Sequence, residues 1–287
     1  MGGELTSMRP LRIVWPFLVI TVLFLGNLTA QNPPTNSATS IRADRPVPRT
    51  DQNSQLAHQE LLEKAARGGI DLYFVGDSIT RRWGTSDPQY RDFLANWNRN
   101  FFGWNAANFG WGSDTVQNIL WRLENGELER VHPKVIVLLA GANNVGDTPP
   151  PFDQEGTKAE DIVGGIQAVL TVIRQKAPHA TVILMGVTPN NARGSTAVMP
   201  LIHRINQRLA PLADGKSVRF LNLNDQLADS NGKLYDGMTV DGLHLTVKGY
   251  QVWADALKPI LTELLGPPAK TDHAPPPTGD PSLRKPA

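Results

Sequence analysis

Four short runs, Ile70 to Val75, Val135 to Ala140, Thr181 to Val187 and Val218 to Leu223, are dense in Val, Ile and Leu. Each has the length of a strand, and apolar residues on consecutive positions suit strands buried on both faces, as in a parallel sheet. Between them lie helical patterns. Asp114 to Leu128 places Val116, Ile119, Leu120 and Leu123 on one face, and Glu160 to Gln175 follows a Thr157-x-x-Glu160 capping box. Met199 to Leu212 and Val247 to Leu265 read as further helices, the last capped by Thr246 and stopped by Gly266. Ser54 to Arg67 is an additional helix leading into the first strand. Strands alternating with helices at this spacing predict a three-layer α/β/α sandwich around a mainly parallel sheet.

The chain has 287 residues, a formal net charge of +1 and no cysteine. Balanced charge without a basic stripe argues against nucleic acid as a partner. The lack of thiols excludes cysteine nucleophiles, cysteine metal ligands and disulfides. No metal-ligand spacing and no phosphate-binding glycine loop is present, so neither a metal nor a cofactor is expected.

Arg9 and Arg12 precede an apolar run from Ile13 to Leu25, and small residues follow up to Ala30. That order is the layout of a secretory signal peptide over 1–30, cleaved after Ala30. The run is about 13 residues, short of the roughly 18 to 20 that span a bilayer; an uncleaved membrane anchor is the alternative. Either reading implies export, to the periplasm or the extracellular space. Residues 31–53 are rich in Pro, Ser, Thr and Asn, Pro recurs through 267–287, and the two segments read as a disordered linker and a Pro-rich disordered tail. The folded domain is then 54–266.

In an open parallel sheet, sites form beyond the carboxyl ends of the strands. Gly76-Asp77-Ser78, Gly141-Ala142-Asn143-Asn144, Thr188-Pro189-Asn190-Asn191 and Asn224-Asp225 all occupy such ends. Taken alone, "GDS" after a strand is as compatible with a helix cap as with a reactive serine. A serine nucleophile needs a base, and of the six histidines His244 stands out, in the loop before the last helix with a carboxylate three residues upstream, in "VDGLHLT". Asp241 can orient that imidazole, although an Asp-Gly turn beside a buried histidine would read the same way. Asn143 offers a side-chain N–H to an oxyanion, and "NFGWGSD", read as a glycine-containing turn into a helix, offers backbone N–H groups. Asp77 reads as a residue that fixes its loop, and Trp111 as a pocket wall next to Gly112.

These segments, "GDSIT", "NFGWGSDT", "GANN" and "DGLHLT", occur in the order of the four blocks of the SGNH, or GDSL-like, hydrolases, which the chain resembles over nearly all of 70–262. Within that family it is most similar to the catalytic subunits of platelet-activating-factor acetylhydrolase Ib, through "NFGWGSDTVQNILWRLENGELE" and "DGLHLTVKGY". The resemblance implies a flavodoxin-like sheet of five strands. It also implies Ser78 as nucleophile, His244 as base and Asp241 as its orienting carboxylate. The oxyanion hole would comprise the Ser78 and Ser113 N–H groups and the Asn143 amide. Ser113 stands where the family usually has glycine, and can serve if its φ is negative. The resemblance implies a serine esterase releasing short acyl groups, acetyl foremost, from small-molecule or polysaccharide esters, and the leader, which implies export, favours carbohydrate esters. Phospholipid esters, or a non-catalytic binding role, are the alternatives, and the related subunits suggest a homodimer.

Overall fold

The computed structural model describes residues 1–2 and 42–284, and the signal-peptide reading falls outside them. Five strands, β1 (Leu72–Gly76), β2 (Ala106–Gly110), β3 (Val135–Leu139), β4 (Thr181–Met185) and β5 (Val218–Leu221), form one sheet in the order β2-β1-β3-β4-β5. Every pairing is parallel. The helices are α1 (Gln52–Arg67), α2 (Ser78–Trp83), α3 (Arg91–Phe101), α4 (Val116–Arg122), α5 (Ala142–Val145), α6 (Glu155–Lys176), α7 (Met199–Leu209), α8 (Asn224–Leu227) and α9 (Val247–Leu265). Among the described residues no helix is long and apolar enough to cross a membrane.

Alternation along the strands divides the core in two. Tyr73, Val75, Ile136, Leu138, Val182 and Leu184 face one layer, which holds Leu61 of α1, Ile119 of α4, Ile166 of α6 and Ile202 of α7. Leu72, Phe74, Val135, Val137 and Ile183 face the other, where Trp83 of α2, Trp97 of α3 and Trp253 of α9 pack. Fully burying one such side chain contributes about 1.5–3 kcal/mol. The expected three-layer arrangement is therefore present, held from both sides of β1 and β3.

Several boundaries differ from the sequence reading. The first three residues of the presumed glycine turn, Asn108 to Gly110, belong to strand β2, whose "AANFG" lacks the β-branched residues that mark the other four. Helix α6 begins at Glu155, ahead of Thr157, so that threonine caps nothing. Helix α4 ends at Arg122 and passes into a π turn that closes at Gly126, with φ 109°.

Both presumed flexible segments are laid on the domain where they are described. Val47 N donates to Gln117 O (3.1 Å), Asn118 Nδ2 donates to Val47 O (2.9 Å), and Ala43 is fully buried. At the other end, Ala269 N donates to Gly103 O (2.9 Å), and Asp272 Oδ2 accepts from the N–H groups of Gly103 (2.7 Å) and Asn105 (3.2 Å). Thr278 O accepts from Ser86 N (3.2 Å), and Asp280 N donates to Asp87 Oδ1 (2.6 Å). Polar contacts hold these segments, which is why their lack of apolar periodicity was a poor guide to their order.

Candidate active site

Strand β1 ends at Gly76, Asp77 caps α2, and Ser78 is the first residue of that helix. Asp77 Oδ1 accepts from Ile79 N (2.9 Å). Cap and reactive serine are thus adjacent residues of one turn. A side chain on Gly76 would collide with Thr80 Oγ1 and the Leu139 carbonyl, and one on Gly110 with the backbone of Arg81 and Asp77. The start of α2 is therefore pressed against the carboxyl ends of three neighbouring strands. Tyr250 Oη donates to Ile79 O (2.7 Å) and Asn108 Nδ2 to Thr80 O (2.7 Å), anchoring the helix from α9 and from β2.

His244 Nε2 lies 2.9 Å from Ser78 Oγ, and His244 Nδ1 lies 2.7 Å from Asp241 Oδ2. With the proton on Nδ1 donated to Asp241, Nε2 is free to accept from the serine hydroxyl. Asp241 Oδ1 accepts from Leu243 N (3.1 Å) and His244 N (2.8 Å), so a single tight turn fixes both residues. Asn191 N donates to Gly242 O (2.7 Å) and holds that turn from the end of β4. Burial pushes the His244 imidazole below its ordinary value, opposed by the bond to Asp241 and aided by the charge of Arg82. Burial also opposes ionisation of Asp241, yet the bonds from His244 and Leu243 hold its carboxyl below the usual range.

Past β2, Trp111 N donates to Gly76 O (3.0 Å), so the chain stays beside the nucleophile turn. Ser113 then adopts φ 62°, the left-handed region, rather than the negative φ expected of a serine there. It keeps the backbone shape that a glycine would supply. The N–H groups of Ser78 and Ser113 have no acceptor among the described residues. Asn143 donates one amide proton to Asp114 O (2.8 Å) and retains a second. Its neighbour Asn144 serves elsewhere, its Oδ1 accepting from Val116 N (2.9 Å) at the start of α4.

Beneath these turns runs a buried ionic network that the sequence reading missed. Arg122, with 3% of its side chain exposed, donates from Nε to Asp114 Oδ2 (2.7 Å) and from Nη1 to Glu127 Oε1 (2.7 Å). The same guanidinium donates to Phe109 O (3.0 Å) and Gly76 O (3.3 Å), tying together the ends of β2 and β1. Asp114 lies 8 residues from Arg122 and Glu127 lies 5, neither of them a helical i,i+3 or i,i+4 spacing, so no local pairing pattern marks the network.

The Trp111 side chain is directed at the start of α1. Its indole donates to Ser54 Oγ (2.7 Å), Arg81 lies over the ring at 4.8 Å, and it lines a 280 Å³ cavity with Pro48, His58 and Trp121 that includes neither Gly112 nor the Ser78, Asp241 and His244 group. Of the other rim residues, Asn190 donates to Gly146 O (3.1 Å), and buried Asn224 sits in α8 without bonding to Ser78, Asp241 or His244.

A sequence model described as GDSL-like lipase/acylhydrolase family matches residues 74–252. Platelet-activating factor acetylhydrolase IB subunit alpha1 of Bos taurus is 32% identical over 196 residues, covering 68% of this chain and 76% of that protein. Subunit alpha2 of Rattus norvegicus is 34% identical over 199 residues, covering 68% and 77%. Among solved structures, a GDSL-like lipase from Bacteroides thetaiotaomicron aligns with a TM-score of 0.56 at 19% identity, over 74% of this chain and 98% of its own. That likeness is one of fold.

Proposed function

Because the chain belongs to the GDSL-like lipase/acylhydrolase family and is an ester-hydrolysing serine hydrolase, we propose that it removes short acyl groups, acetyl above all, through an acyl-enzyme on Ser78. Ser78 Oγ attacks the ester carbonyl while His244 Nε2 takes its proton, and Asp241 stabilises the imidazolium. The developing oxyanion is met by the Ser78 N–H, the Ser113 N–H and the free proton of the Asn143 amide. His244 then protonates the leaving alcohol, and a water molecule, activated by the same imidazole, releases the acid. The observation that carries this reading is the unbroken chain from Ser78 Oγ through His244 to Asp241. If purified Ser78→Ala turns over p-nitrophenyl acetate at the parent rate, the mechanism is wrong.

For the alcohol we favour acetylated carbohydrate outside the cell. The leader-like order of charge, apolar run and small residues up to Ala30 supports export. The 46% exposure of the Asp241 side chain supports access by a bulky alcohol. A second reading, an acetylated phospholipid, is supported by the names of the mammalian relatives. Acetate release from acetyl-xylan, acetyl-glucomannan and an acetyl ether phospholipid separates the two, and activity confined to the lipid would reverse the preference. N-terminal sequencing of the exported protein tests cleavage after Ala30.

A further inference from the structure

We propose that Arg49 is a positioning residue for the oxyanion hole, acting on the carbonyl side of the peptide whose N–H meets the substrate. Its Nη1 donates to Gly112 O (2.9 Å) and lies 3.5 Å from Asp114 Oδ1, so it grips the residues on either side of Ser113. Gly112 C=O and Ser113 N–H belong to one planar trans peptide, in which the two groups point in opposite directions. A donor fixed on that carbonyl therefore sets the direction of the N–H. It also polarises the peptide, because hydrogen bonds in series strengthen one another. The need is specific to this chain, since a serine is disfavoured in the left-handed conformation that Ser113 adopts at φ 62°.

The guanidinium is itself held. Arg49 Nε and Nη2 lie 3.1 and 3.0 Å from Asp51 Oδ2, and Asp51 Oδ1 accepts from Ser54 N (2.9 Å) as the cap of α1. The oxyanion turn is thereby braced against the start of a 16-residue helix, through a stretch that sequence composition presented as linker. The inference rests on the reading of Ser113 N–H as an oxyanion donor.

The full chain with Arg49→Ala is compared with the parent in p-nitrophenyl acetate hydrolysis, alongside Ser78→Ala. The expected result is a kcat lower by about tenfold, less than the loss from deleting a direct donor, with KM within about twofold. Millimolar guanidinium should restore kcat, and methylammonium should not. If the alanine variant does not fold, Arg49→Lys carries the same expectation of a lower kcat at unchanged KM. A parent-like kcat in a folded Arg49 variant, or a loss that guanidinium leaves untouched, overturns the proposal. Activity in Ser78→Ala would instead overturn the esterase mechanism, so the two failures are distinct.

Discussion

Arg82 Nη1 lies 3.8 Å from Asp241 Oδ2, the same carboxylate oxygen that holds His244 Nδ1 at 2.7 Å. The guanidinium thus competes for the group that stabilises the imidazolium and adds a positive charge beside it. Burial and Arg82 both favour the neutral imidazole, and Asp241 favours the charged one. The net result is a base that is unprotonated, and so ready to accept, over most of the neutral range.

That balance predicts a pH profile. The acid limb of kcat/KM should fall below the ordinary histidine value of 6.5, since protonation of His244 abolishes its role as base. Arg82→Gln removes a charge that disfavours imidazolium, so the folded value rises and the limb moves to higher pH. A limb that stays in place, or moves toward acid, in Arg82→Gln would exclude this assignment of the base.

Asn143→Ala removes a side-chain donor and its anchor on Asp114 O (2.8 Å). Loss of one oxyanion donor typically costs about 3–4 kcal/mol of transition-state binding, so kcat should drop roughly 10²- to 10³-fold while KM changes little. Steady-state kinetics on an acetyl ester provide the check. A change confined to KM would place the amide outside the oxyanion hole.

The left-handed φ of Ser113 gives a stability prediction of opposite sign to most substitutions. Ser113→Gly relieves the Cβ clash, partly offset by the greater entropy of glycine in the unfolded chain, for a net gain of up to about 1 kcal/mol. Ser113→Val, β-branched in the same conformation, should lose more than about 1 kcal/mol. Urea midpoints of the three proteins test the ordering Gly above Ser above Val, and any other order contradicts it.

What the residues disclosed in advance follows the kind of force that holds each part. Strands β1, β3, β4 and β5 were legible because burial on both faces demands runs such as Val135 to Leu139. Strand β2 was not, because Ala106, Ala107 and Asn108 lack that signature, and the buried Asn108 is satisfied by Thr80 O and Gly110 N. Ser78, Asp241 and His244 could be singled out from residue type, spacing and place on the rim, and the structure brings them together. The φ of Ser113 could not, since residue identity only weights a conformation, and Gly112 offered an easier place for the turn. Arg49, Arg122 and residues 267–284 escaped for a shared reason: their order comes from hydrogen bonds to distant backbone, which leave no periodic trace.

Arg122 bridges Asp114 and Glu127, both fully buried, and two carbonyls at the ends of β1 and β2. Arg122→Met leaves two carboxylates without their shared partner, a change that typically costs about 3–5 kcal/mol. Because the freed carbonyls flank the nucleophile and oxyanion turns, kcat should fall as well in whatever fraction remains folded. A denaturation curve within about 1 kcal/mol of the parent, on the same scale of buried-pair loss, would show the network to be dispensable.

Asp77 offers the clearest separation of stability from catalysis. Its side chain is buried, Oδ1 accepts from Ile79 N, and Oδ2 has no partner among the described residues. Burial pushes its carboxyl up to about 7, with the charge of Asp114 adding to the effect against the bond from Ile79 N. A carboxyl whose folded value is raised binds its proton more tightly in the folded state. Its contribution is then fully present below the ordinary value of 3.8 and is lost as pH climbs through about 7. Asp77→Asn keeps the capping oxygen, since asparagine caps as well as aspartate, and carries no such charge. The variant should therefore be close to the parent near pH 4 and more stable at pH 8, by up to a few kcal/mol. Guanidinium chloride midpoints at the two pH values measure this directly: an equal difference at both would mean that Asp77 is not the residue whose ionisation strains the nucleophile turn.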